Sequence, residues 1–210
     1  MCYIGQAPGS SSPQQSHSMS FLKNKEAVSG GAGGGYLNPS KIQAGSQVRF
    51  ALLAEEPLEF YECWGEATDG SVRPFRFLDD PSPADVEQEM GPGYSRRMNR
   101  EGTGPEAVKF AIAVPCYSHD SKTIQVLSVT QKSIIKEFDS LSQMEDYENL
   151  MEWDFVLSKE GSGLNTEYTL RPVPRKTSQA VMDKAWDAAL KAGFDITRLI
   201  AGGNPFKEAA

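Results

Sequence analysis

The stretch Ala113–Phe138, AVPCYSHDSKTIQVLSVTQKSIIKEF, decides how the chain is read. Val114 ends an alternation that begins at Val108 and runs through Phe110 and Ile112, so these four side chains share one face of a strand. The polar run SHDSK reverses the chain, and TIQVLSVT brings it back as a second strand. The spacing then becomes helical at once, with Ile134, Ile135 and Phe138 on one side. Thr130 is placed to cap that helix through its hydroxyl. A strand at 108–117, a strand at 122–130 and a helix at 131–142 are therefore expected without a linker.

Upstream, Val48, Phe50 and Leu52 alternate in a strand at 47–54, followed by a second extended piece, LEFYECWGEA, at 58–67. Asp69-Gly70 marks a turn into VRPFRF, which Pro74 confines to a sheet edge. SPADVEQEM predicts a short helix with Ser82 as its cap and Pro83 at its first position. Residues 79–107 otherwise read as irregular. Downstream, EWDFVLSK and TEYTLRPV form a strand pair around EGSGLN, which carries two glycines. SQAVMDKAWDAALKAG predicts a C-terminal helix from Ser178 to Gly193, with Val181, Ala185, Ala189 and Ala192 on its apolar face.

This order points to a mainly β protein with helices. It matches an OB-fold-like five-stranded barrel with an insertion after the first strand and a C-terminal helix. The helix after the third strand would plug one mouth of the barrel. Three regions are expected: a flexible Gly/Ser-rich arm at 1–40, a core at 41–176 with its insertion at 55–107, and a C-terminal helix and interaction tail at 177–210.

Charge is unevenly spread. The chain has 21 bases and 28 acids, and residues 46–107 hold six of the bases and thirteen of the acids. Within that segment Arg96, Arg97 and Arg100 follow Tyr94 with no acid among them. Local clusters, not the net sum, decide anion binding. Cys2, Cys63 and Cys116 make neither a disulfide framework nor a zinc spacing, and a reducing cytoplasmic setting is expected. No apolar run is long enough to span a membrane, and the N-terminus lacks the layout of a signal peptide.

The pieces VRFALL, VKFAIAVPCYSHDSKTIQVLSVTQKSIIKEF and WDFVLSKEGSGLNTEYTLRPVPRK resemble the single-stranded DNA-binding, helix-destabilising proteins of tailed bacteriophages. The resemblance covers residues 45–176. It implies an OB-fold core with an inserted subdomain and a role in phage DNA replication, recombination or repair in the host cytoplasm. The implied partners are single-stranded DNA, further copies of the chain along it, and replication or recombination proteins met through the N-terminal arm or the C-terminal helix. Some members hold zinc in the insertion. Here that segment has Cys63 alone and no histidine, so no metal and no cofactor are expected. Members with acidic tails also differ from this chain, whose residues 178–210 carry four bases and four acids.

Single strands are held by rings that stack on bases and cations that follow phosphates. The candidates are Trp64, Phe75, Tyr94 and Tyr117 for stacking, with Tyr61, Phe77 and Tyr168 in reserve. For phosphates they are Arg73, Arg76, Arg96, Arg97, Arg100, Lys109, Lys122, Lys132 and Lys159, with Arg49 and Lys136 behind them. The DNA-binding reading expects the five arginines between 73 and 100 to project into one groove with Trp64 or Tyr94. Cys116 and His119 sit at a hairpin tip, and the acids at 79–89 lie in one polar segment. Neither makes a catalytic constellation, so a non-enzymatic protein is expected. The alternative is a β-barrel module for protein interaction or virion assembly, without DNA binding.

Overall fold

The central strand is the one the opening stretch begins with. β6 (Lys109–Ser118) is buried on both faces from Ala111 onward. Its register explains the rest of the sheet. One edge pairs with β7 (Thr123–Val129) from Ile112 to Ser118. The other edge is shared. Lys109–Ala113 take β3 (Leu58–Ala67), and Cys116–Ser118 take β2 (Ser46–Leu52). The sheet forks where Pro115 stands. Its carbonyl faces the fork and accepts from the Leu53 N–H at 3.0 Å. A residue's N–H and C=O point to the same side of a strand, and Pro115 has no N–H to pair at the fork.

The structure is a computed structural model that describes residues 35–206, all within one unit, Gly33–Ala210. The expected arm lies outside the described residues up to residue 34. Among the described residues there are nine strands in one mixed sheet and three α-helices.

The first branch of the fork runs through β2 to β8 (Asp154–Glu160) and then β9 (Glu167–Val173). Val48, Phe50, Leu52, Ile112, Val114, Phe155, Leu157 and Leu170 meet on its inner face. Each fully buried large side chain there contributes about 1.5–3 kcal/mol. α2 (Lys132–Ser142) joins β7 to β8 and buries Ile134, Phe138 and Leu141 in the same core. The expected closed barrel does not form. The outer edge of β7 is taken by a short parallel strand, β1 (Tyr36–Leu37), and the strand path β1-β7-β6-β2-β8-β9 stays open. The segment after β1 bridges the gap with side chains instead of a ladder. Gln131 Nε2 donates to Ser40 Oγ at 2.9 Å, and Lys159 Nζ to the Ser40 carbonyl at 2.8 Å.

The second branch is an arm. β3 turns at Asp69-Gly70 into β4 (Val72–Phe77), and Gly70 supplies the positive φ of 79°. α1 (Pro83–Met90) begins in a reciprocal capping box between Ser82 and Asp85. It drops Val86 and Met90 onto Cys63 and Phe75. A strand not foreseen in the sequence, β5 (Tyr94–Arg96), then pairs with the end of β3. Thr130 does not cap α2. Gln131 holds the N-cap position, and its side chain accepts from the Thr130 N–H instead. α3 (Gln179–Lys191) turns Met182, Ala185 and Trp186 inward onto Leu53, Tyr117 and Ile124. Val181, expected on the apolar face, points outward together with Leu190. The following segment lays Phe194, Ile196, Leu199 and Phe206 over Phe60, Ala111, Ala113 and Val126.

Candidate nucleic-acid interface

The two faces of the arm separate the candidate residues. Paired strand residues share a face, and neighbours along a strand alternate. Gly65 lies opposite Arg73 in β4 and opposite Arg96 in β5, so these two arginines flank it on the face that carries Cys63, Phe75 and Tyr94. Glu62, Trp64, Pro74 and Arg76 lie on the other face, together with Lys109. The expected single groove of five arginines is therefore not formed. Strand periodicity sends Arg73 and Arg76 to opposite sides, and the short β5 begins the same split at Arg96 and Arg97.

On the α1 side, Arg73 is exposed and its guanidinium carbon sits 4.2 Å from the Phe75 ring centre and 4.6 Å from that of Tyr94. The two rings stand at 72° with centroids 5.4 Å apart, forming a corner around the cation. Gly65 makes this possible, because a Cβ there would lie 2.5 Å from the Phe75 ring. Phe75 is only 4% exposed and offers no free face to a base. Tyr94 is half-buried. Arg96 donates to the Glu106 carbonyl at 2.6 Å, and its buried Nε has no hydrogen-bond partner among the described residues.

On the opposite face, Arg76 is committed to structure. It pairs with Glu62 at 2.9 Å and donates to the Leu199 carbonyl at 2.9 Å, tying the C-terminal segment to the arm. Lys109 pairs with Glu106. Trp64 is half-buried opposite Pro74, and its carbonyl accepts from the Arg97 N–H at 2.8 Å. Arg97 and Arg100 have exposed side chains. The loop that bears Arg100 is closed by Asn99, whose side chain holds both the hydroxyl and the N–H of Thr103.

The remaining candidates lie on the body. Tyr117 is 4% exposed beneath α3, beside Met182, and cannot stack on a base. Lys122 is exposed at the β6–β7 turn with a φ of 56°, and Lys132 is exposed at the first turn of α2. Lys159 lies 6.0 Å from the Tyr168 ring while bonded to Ser40. Arg49 is turned to Asp154 at 2.8 Å and to the Pro174 carbonyl at 2.6 Å.

Asp154 itself went unnoticed in the sequence. It is fully buried, with Arg49 and Arg175 on its oxygens. His119 Nε2 stands 3.0 Å from the Asp154 carboxylate, within ion-pair reach though not aligned as a hydrogen bond, and the Lys176 N–H donates to Asp154 Oδ2 at 2.9 Å. Its only sequence signal was an acid set inside an apolar strand. Leu164, 92% exposed at the β8–β9 tip, was also missed. Burial pushes the Cys63 thiol up and the Cys116 thiol up to about 12. No three His, Cys, Asp or Glu side chains gather as a metal site among the described residues, and no described helix is long and apolar enough to cross a membrane. Comparison with protein-family models, curated proteins and solved structures finds no match.

Proposed function

We propose that this chain binds single-stranded DNA without catalysing a reaction. The observation that carries the reading is the strand path β7-β6-β2-β8-β9 with a helix between β7 and β8. That is the order of an OB-fold, here left open at one seam. In such folds the connection between the first two barrel strands and the loop between the last two hold oligonucleotides. Here the first connection has grown into the arm with Trp64, Arg73, Tyr94, Arg97 and Arg100, and the second is the tip with Leu164. Exposed cations without a carboxylate partner in the described residues, Lys122 and Lys132 among them, suit phosphates.

Binding the open strand and not the duplex shifts melting toward open DNA by mass action. With the sequence resemblance, this supports a part in phage DNA replication, recombination or repair, protecting unpaired DNA beside other copies and replication proteins. The test is a fluorescence titration with poly-dT against a duplex control over a range of salt. Ring quenching that weakens as salt rises is expected, with a log-log slope of about −0.7 per phosphate neutralised. Absence of binding to poly-dT at low salt sinks the reading.

A further inference from the structure

We infer that Arg73, fixed in the corner of Phe75 and Tyr94, is a guanine-reading subsite within an otherwise sequence-tolerant strand-binding surface. The inference rests on the single-strand-binding reading and adds a base preference to it.

Three observations carry it. First, the guanidinium is positioned by rings and by nothing else. It has contacts to two ring centres at 4.2 and 4.6 Å, and no hydrogen bond or ion pair to any described residue. Its N–H donors are therefore unspent while its place is held. Second, the corner is built, because Gly65 leaves the space that lets the Phe75 ring lie across the sheet beneath the cation. Arg96, the other arginine on that row, gives a donor to the Glu106 carbonyl, so Arg73 alone presents the whole fork. Third, the cation stands beside the half-buried Tyr94 ring, so a flat base finds a second surface there that a bare phosphate does not use.

A planar fork with free donors matches two acceptors side by side in one plane. Among the bases, guanine offers that pair as O6 and N7. An unpaired strand exposes this edge, and a base held coplanar with the guanidinium continues its layer against the Tyr94 ring. Adenine places a donor where guanine has O6, so it is rejected. A lysine keeps the charge but loses the fork.

The experiment compares dT15 with the same strand carrying one central guanine, inosine, 7-deazaguanine or adenine, on the full chain and on Arg73→Lys. Inosine keeps both acceptors and 7-deazaguanine lacks N7. The expected result is that guanine and inosine bind about 5- to 100-fold tighter than adenine or 7-deazaguanine. Arg73→Lys abolishes that difference, because the charge is kept and the fork is lost. Because Arg73 is exposed, the variant tests the site and not the fold, and Arg73→Gln gives an independent second reading of the same loss. Equal binding of all five strands by the full chain overturns the inference and leaves strand binding standing. Uniform weakening of every strand in Arg73→Gln, with a slope smaller by about 0.7, makes Arg73 a phosphate contact and also overturns it. If no strand binds, both readings fall.

Discussion

Gly65 bears more on the arm than its size suggests. Its missing side chain is the floor on which the Phe75 ring lies, and the ring is in turn the wall against which Arg73 rests. Gly65→Ala puts a carbon 2.5 Å from that ring, so the ring must leave its place or the strands must part. The expected cost is about 1–3 kcal/mol, read as a lower urea midpoint with unchanged m-value. A second residue-scale expectation concerns Cys116. Burial holds its thiol up at about 12, against 9.0 unperturbed, so the folded state keeps its proton where the unfolded chain has lost it. The unfolded state then binds fewer protons, and stability falls as pH rises through the window from about 9 to about 12. Wild type should lose up to about 1.4 kcal/mol per pH unit relative to Cys116→Ala in that window. Parallel pH-stability curves for the two proteins would refute this.

At the scale of elements, the buried Asp154 cluster joins four parts of the chain. Arg49 comes from β2, His119 from the end of β6, Asp154 from β8, and Arg175 and Lys176 from the link between β9 and α3. Asp154→Ala leaves the Arg49 and Arg175 guanidinium groups beside an empty position. The expected loss is about 3–5 kcal/mol. The link at 174–177 should be the first backbone to gain hydrogen exchange, since the Lys176 N–H loses its acceptor. The elements themselves were largely legible. β3 and β4 follow from alternation and the Asp69-Gly70 turn, and α1 from Ser82 and Pro83, because those signals are local. β1 and β5 were not legible. Two or three residues carry no period, and their strand character comes from edges that only the folded sheet supplies. The open seam was hidden for the same reason, since β1 competes for an edge from far along the chain. The candidate site was legible as a list of residues and not as an arrangement. Composition marked Arg73, Tyr94 and Trp64, but Arg76 and Tyr117 were masked by partners distant in sequence, Glu62 and Leu199 for the one and Met182 for the other.

On the scale of the whole molecule, charge and shape divide the work. The segment 46–107 carries the same excess of seven acids as the entire chain, so the rest is balanced. A strand held by both parts should meet Arg97 and Arg100 on the arm and Lys122 and Lys132 on the body, all exposed. Chain connectivity has a further consequence. The first and last described residues touch: a Cβ on Gly35 would lie 2.4 Å from the Phe206 ring. At the far end of the β8–β9 hairpin, the exposed turn around Leu164 is closed by two hydrogen bonds of its own, the Asn165 N–H to the Ser162 carbonyl at 3.2 Å and the Thr166 hydroxyl to the Gly163 carbonyl at 3.0 Å. The path from 35 to 206 is therefore almost a ring, cut at an arbitrary point. A permuted chain that begins at Leu164, runs to Phe206, passes through a short glycine linker to Gly35 and ends at Gly163 should unfold in one cooperative step with a near-native circular-dichroism spectrum. Where synthesis starts would then be a matter of gene order, while the fork at Pro115 and the core around Phe50 and Phe155 assemble from either starting point.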